Sequence, residues 1–212
     1  MHATEDAGGL RERKKRRTRD ALIRSALELF ALKGYEGTTV DEIAAAADVS
    51  QRTFFRYFAG KEEAALAVQE MAESHFFAAV RARPAAEPPL TALRTAVLAS
   101  WDTTEEAVQS VVPLELYVRT YRMIQSTPQL LAAHLRRLAE LEDRLALEIA
   151  HREGLPAEDP RPRILVAAFS GVMRETSKLW ADAEGGDLQD LRRTTAAYLD
   201  WIGPALAENW RS

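Results

Sequence analysis

The chain has 212 residues, with 28 Lys and Arg against 32 Asp and Glu, a net charge of −4 and no cysteine. Disulfides, thiolate metal sites and thiol redox chemistry are thereby excluded, and no apolar run approaches the ~18 residues of a membrane span. Ala and Leu outweigh β-branched residues, which favours helices, and a chain of this length can bury one large core or two small ones.

The charge is unevenly placed. Residues 11–19 carry seven Arg or Lys against Glu12, a local +6, whereas residues 64–212 carry 16 basic and 21 acidic side chains. A basic end on an otherwise acidic body is the footprint of a nucleic-acid-binding module. Residues 1–17 are expected to form a disordered arm. Its Arg13, Lys14, Lys15, Arg16 and Arg17 are expected to attract phosphates, with entry into a minor groove as an extension of that role; the bland alternative is a solvated arm with no role. No apolar signal-peptide block follows the basic run, so the expected location is the cytoplasm.

A helix is predicted from about Thr18 to Lys33, with Leu22, Ile23, Ala26, Leu29 and Phe30 on one face and Gly34 as its stop. Thr39 and Glu42 form a capping box at the start of a second helix, whose apolar face is Val40, Ile43, Ala44 and Ala47. After Asp48-Val49, Ser50 is the N-cap of a third helix predicted to reach about Phe58. Phe30, Val40, Ile43, Val49, Phe54 and Phe58 are the expected core of this three-helix unit, with Tyr35 at its edge. The third helix presents Gln51, Arg52, Thr53, Arg56 and Tyr57 beside its aromatics, the surface a DNA major groove requires.

The run ALELFALKGYEGTTVDEIAAAADVSQRTFFRYFAGKEE, residues 26–63, resembles the N-terminal domain of the tetracycline-repressor (TetR) family. The resemblance covers roughly residues 17–66. It rests on the ordered set Phe30, Gly34, Thr39-Val40, Ile43-Ala44, Val49-Ser50, Thr53-Phe54, Tyr57-Phe58 and Lys61. Asp48 stands where the family prefers Gly, and Gly60 where it prefers a polar cap. Asp tolerates a left-handed backbone, so the turn is expected to survive. The resemblance places Thr39, Tyr57 and Lys61 on phosphates. Ser50, Gln51, Arg52, Thr53, Phe55 and Arg56 complete the expected DNA-binding surface.

From Lys61 a connecting helix is predicted to about Arg83, ended by Pro84, Pro88 and Pro89. Beyond it lie amphipathic segments at 90–101, a restart at Thr103 with a kink at Pro113, a stripe from Leu114 to Ile124, and a long helix from Pro128 to about Glu153. Another helix starts at Asp159-Pro160 and runs to about residue 184. Gly185-Gly186-Asp187 is the predicted turn into a last helix from Leu188 to about Ile202. Gly203-Pro204 then leads to a tail containing Trp210.

The expected architecture is all-α. A helix-turn-helix DNA-binding domain over 18–63 is joined by the connecting helix to a helical effector-binding and dimerisation domain over 64–212. His75, Trp101, Tyr117, Tyr121, His134, Phe169 and Met173 are the candidate effector-pocket residues, chosen as aromatic, soft or polar-tipped groups on apolar faces. Ala168, Gly171 and Val172, with Leu191, Tyr198 and Ile202 facing them, are the candidate dimer interface. The resemblance implies both a pocket in this domain and a four-helix dimer bundle.

Enzyme chemistry has little support. The four His are scattered, Glu148-x-x-His151 is a single occurrence where a di-iron bundle needs two, and no Gly-rich phosphate loop or nucleophile elbow occurs. No catalytic residue, metal or cofactor is expected. The function predicted is a homodimeric regulator that binds a palindromic double-stranded operator and is released by an unknown small molecule. The rival readings are an architectural DNA-binding protein and an all-α enzyme.

Overall fold

The computed structural model describes residues 3–183 and 188–207, without the side chains of 3–8 and Asp102. The predicted turn at 185–187 and the tail with Trp210 lie outside them. The described residues form helices α1 Ala3–Lys33, α2 Val40–Ala46, α3 Gln51–Phe55, α4 Lys61–Arg81, α5 Pro89–Val111, α6 Leu114–Ser126, α7 Pro128–Arg152, α8 Pro160–Asp182 and α9 Leu188–Leu206. No strand occurs among them.

Most boundaries have a local cause. Gly34 ends α1 at φ +80°, its N–H bonded to Phe30 O at 2.9 Å. Asp159 caps α8, its carboxylate accepting from the Arg161 N–H at 3.0 Å, with Pro160 in the first turn. Pro113 separates α5 from α6.

Four predicted boundaries are corrected. The basic run is helical, not disordered: α1 extends back to Ala3, because Arg, Lys and Glu are good helix formers and no proline intervenes. Arg13 Nε donates to Gly9 O and Thr18 Oγ1 to Lys14 O, both spanning one turn. α5 is continuous through Thr103, since nothing at 101–104 breaks a helix. α3 stops at Phe55 rather than Phe58. α9 runs through Gly203-Pro204 to Leu206; the prolyl ring sits in the last turn, where it disturbs few bonds.

The helices pack as two units. One comprises the residues up to Met71 with Glu106–His134; the other comprises Ala72–Glu105 with the residues from Leu135 on. The chain passes between them inside α4, α5 and α7. In the first unit, Leu22, Ile23, Phe30, Ile43, Phe54 and Phe58 share one buried cluster with Leu66, Val68, Val111, Ile124 and Leu130. α6, although far along the chain, belongs to this unit and packs on α1. Arg119 Nη2 donates to Ala31 O, and Arg24 Nε to Val111 O, both at 2.9 Å.

The second unit is centred on α8 and α9. Phe169, Val166, Leu199 and Ile202 are buried together with Leu145, Ile149 and Leu93. Phe76 stacks on Phe169 at 5.6 Å. The hydroxyls of Thr195 and Thr176, both fully buried, are 3.1 Å apart and fix the register of α9 on α8. Arg152 Nη1 and Nη2 donate to the carbonyls of Arg83 and Pro84, where the chain leaves α4.

Asp48 lies at φ +52° in the corner between α2 and α3. A left-handed backbone costs an ordinary L-residue about 1–2 kcal/mol and glycine nothing. Asp48→Gly should therefore hold or raise the urea midpoint, and Asp48→Val should lower stability by about 1–2 kcal/mol.

Candidate nucleic-acid interface

The interface is built on a capped corner. The Thr39 N–H donates to Glu42 Oε2 at 2.9 Å, and the Glu42 N–H returns to Thr39 Oγ1 at 3.3 Å. This closes the predicted capping box, and Lys33 pairs with the same carboxylate. Ser50 caps α3: its Oγ accepts from the Thr53 N–H at 3.1 Å and lies 3.0 Å from Thr53 Oγ1.

α3 has five residues. Past Phe55 the turn tightens, with the Tyr57 and Phe58 N–H groups both returning to Phe54 O. Phe54 is fully buried and Phe58 nearly so, their rings 5.6 Å apart. With Phe54 pointing inward, Gln51, Arg52, Phe55 and Arg56 face outward, and Thr53 and Tyr57 lie half-buried at the edges. Phe55 is 51% exposed and its ring meets Phe54 edge-on at 5.6 Å, so it is held upright rather than folded back. Arg56 lies over the Tyr57 ring at 5.2 Å.

Lys61 has a structural task that the resemblance does not imply. Its Nζ donates to Tyr35 O at 2.8 Å and Thr38 O at 3.1 Å, and sits 4.3 Å from the centre of the Tyr35 ring. An ammonium carries three protons, so one stays available for a phosphate. Arg19, at the end of the basic run, pairs with Glu70 at 3.2 Å and covers the Phe58 ring at 5.4 Å. Arg13, Lys14, Lys15, Arg16 and Arg17 are all exposed around α1.

Comparison with known proteins agrees with this geometry. Residues 22–68 match the model of bacterial regulatory proteins of the TetR family, and residues 87–201 match that of the MftR C-terminal domain. The HTH-type transcriptional regulator TcmR of Streptomyces glaucescens is 45% identical over 210 residues, which is 99% of this chain and 93% of TcmR. The chain belongs to the TetR family of transcriptional regulators. Among solved structures, a regulator from Aquifex aeolicus superposes with TM-score 0.54 at 19% identity, covering 87% of this chain and 99% of that one. Thermus thermophilus FadR, a TetR-family repressor solved with lauroyl-CoA, superposes with TM-score 0.50 at 22% identity, covering 89% and 94%. At these identities the likeness shows the fold.

This TetR-family chain is a DNA-binding regulator rather than an enzyme. Among the described residues no three His, Cys, Asp or Glu side chains gather as a metal site, and no helix is long and apolar enough to cross a membrane. The candidate effector residues are divided between the two units. Tyr117, Tyr121 and His134 belong to the first unit, where the Tyr121 and His134 rings meet edge-on at 6.3 Å. His75, Trp101, Phe169 and Met173 belong to the second; Phe169 is core there and His75 is exposed. Periodicity places a residue on an apolar face but does not say which unit that face joins.

The candidate dimer residues divide similarly. Leu191 and Ile202 are buried within the second unit, Ala168, Gly171 and Val172 are partly buried, and Tyr198 is 41% exposed. The strongest outward apolar groups of α8 and α9 were not singled out from the sequence: Ile164, Leu179, Trp201 and Leu206. Their signal was an apolar residue on the side of the helix opposite the core face.

The Lys33 contact, then the bonds from Thr39, hold the Glu42 carboxyl at about 2, down from 4.5. A depressed carboxyl contributes stability above its unfolded value and loses it as pH falls through the folded one. Thermal stability should thus decline from about pH 4.5 towards pH 2 through this group. Glu42→Gln should lower the melting temperature at pH 7 and flatten the decline, as followed by circular dichroism.

Proposed function

We propose that the chain is a homodimeric repressor that binds a palindromic duplex operator through α3 and is released by a small-molecule effector in the cytoplasm. The observation that carries this reading is α3 itself. It is anchored from beneath by Phe54 and turns Gln51, Arg52, Phe55 and Arg56 outward, with Thr39, Ser50, Thr53, Tyr57 and Lys61 around the same corner.

Each outward residue has a partner chemistry in a major groove. Arg52 and Arg56 match the O6 and N7 acceptors of guanine, and Gln51 matches the N6 and N7 edge of adenine. Phe55 cannot donate or accept, and the apolar feature of the groove is the thymine methyl. Tyr57, Lys61 and Thr39 bind phosphates and set the register. The basic run on α1 supplies sequence-independent attraction.

One five-residue helix reads too few base pairs to be specific, so two copies are needed. Trp201 is 58% exposed, and Ile164 and Leu206 more so, on the helix pair α8 and α9. An apolar surface of this kind on paired helices is suited to a second copy of itself. Trp201→Asp should shift the sedimentation equilibrium towards monomer; an unchanged dimer would remove α9 from the interface. Effector release then works by population shift. The effector binds more tightly to the conformer whose two reading heads are wrongly spaced, and a ligand with equal affinity for both would change nothing.

The test is fluorescence anisotropy on duplexes from the DNA upstream of the gene, with non-specific competitor. Arg52→Ala or Tyr57→Ala should reduce affinity for the specific duplex about fivefold to more than about a hundredfold, a single lost contact being worth about 1–3 kcal/mol, while leaving the dimer intact. Replacing one thymine by deoxyuridine should weaken the wild type but not Phe55→Ala. Equal affinity of all variants for every duplex would favour an architectural protein instead. Removing residues 1–17 should weaken binding and flatten its dependence on salt; an identical slope would show the basic run to be idle.

A further inference from the structure

We infer that Gln69 is the hydrogen-bonding anchor of an effector site inside the first packed unit. The ligand it fits is neutral and largely apolar, with a carbonyl and an N–H or O–H side by side. The inference rests on effector control as proposed above, and it adds the residue and the chemical class.

Gln69 is 4% exposed, and both its Nε2 and Oε1 are buried with no hydrogen-bond partner. A primary amide brings two donors and two acceptor lone pairs, and leaving them unmet in an apolar interior is strongly unfavourable. Other buried polar groups of the unit meet their needs locally. The Thr38 hydroxyl donates to Gly34 O at 2.8 Å and that of Thr120 to Leu116 O at 2.7 Å. Gln69 has no such recourse. Residues 64–69 of α4 are all buried, so the helix is enclosed here and the amide does not reach bulk water.

The surroundings define the ligand. The charges beside Gln69 on α4 are already paired, Glu70 with Arg19 at 3.2 Å and Glu73 with Arg137 at 2.9 Å, and no Lys, Arg, Asp or Glu is among the wholly buried residues described, so a charged group would meet no free counter-ion. Leu66, Met71, Met123, Ile124 and Leu130 belong to the apolar cluster of this unit, which suits an apolar body. The complement of a carboxamide is a second donor–acceptor pair: a lactam, a secondary cis-amide or a hydroxy-ketone. Two bonds then form at once, and a molecule lacking either half leaves an amide atom unmet.

Position gives the site a route to the reading head. Gln69 lies eight residues after Lys61, about 12 Å along the same helix. Lys61 holds Tyr35 O and Thr38 O, at the approach to α2. Ala64, Ala65, Ala67 and Val68, between them, share the buried cluster of Phe54 and Phe58. A ligand that shifts α4 at Gln69 moves the helix on which the corner is fastened.

The test uses the full chain, two probes and one variant. Quinolin-2(1H)-one presents an apolar bicycle with adjacent N–H and C=O; its N-methyl derivative lacks the donor. Isothermal titration should show the first probe binding the wild type at least about tenfold more tightly than the second, as expected for a lost hydrogen bond to a buried polar partner. Gln69→Met should bind both alike. Without probe, Gln69→Met should melt no lower than the wild type, with a rise of up to about 2–4 °C. Equal binding of the two probes to the wild type, or no binding of either, would overturn the inference. So would a Gln69→Met protein melting several degrees lower, because the amide would then be satisfied within the fold. Operator affinity measured on the same samples separates the readings: a wild type that binds no operator even without probe refutes the repressor proposal and leaves the probe result standing.

Discussion

A five-residue helix has no stability of its own in water, so everything α3 does depends on how it is held. The hold is Phe54, fully buried beneath it and in ring contact with Phe55 on one side and Phe58 on the other. This contact decides which side chains point outward. It also explains how so polar a segment can be rigid: the apolar stabilisation comes from one face and the side chains proposed to read DNA occupy the other. Ser50 at the start and the tightened turn at Tyr57 and Phe58 complete the element without lengthening it.

The head formed in this way is not an independent bead. Lys61 ties the first turn of α4 to the carbonyls of Tyr35 and Thr38, while Arg24 and Arg119 tie α1 to the end of α5 and to α6. Motion of α4 or α6 is therefore felt at the corner proposed to meet DNA. The exposed Arg24 and Arg119 contribute little through solvent screening, but each charge-assisted bond from the half-buried Lys61 to a carbonyl is worth about 1.5–3 kcal/mol. That is of the order of the free energies by which allosteric ligands shift binding. Regulation of DNA affinity from within this unit needs no flexible linker.

Much of this was legible in the sequence because it is local. The Thr39–Glu42 box, the Ser50 cap, the Gly34 stop and the left-handed Asp48 each follow from residues within four positions of one another. The alternation of Phe54 and Phe58 with polar residues likewise announces an anchored surface helix. What was misread depends on distant partners or on the balance of weak terms. The basic run was expected to be disordered because charge suggests solvation, yet Arg and Lys have good helix propensity and α1 propagates through them. That α6 packs with α1, and that Tyr117 and His134 lie in a different unit from Phe169, cannot be read from periodicity. An apolar stripe announces that it will be buried, not against what. The same limit hid Gln69, an unremarkable residue in sequence that matters because of what surrounds it.

On the proposed reading, an anchored α3, presented twice by a symmetric dimer, reads base edges. Binding-site selection from a random duplex pool with the full chain tests it most directly. A symmetric dimer should enrich an inverted repeat, its half-site centres separated by about 34 Å or a multiple of it, with purine contacts that disappear when Arg52 is replaced by alanine. A pool that stays unenriched, or a single unrepeated half-site, would contradict it.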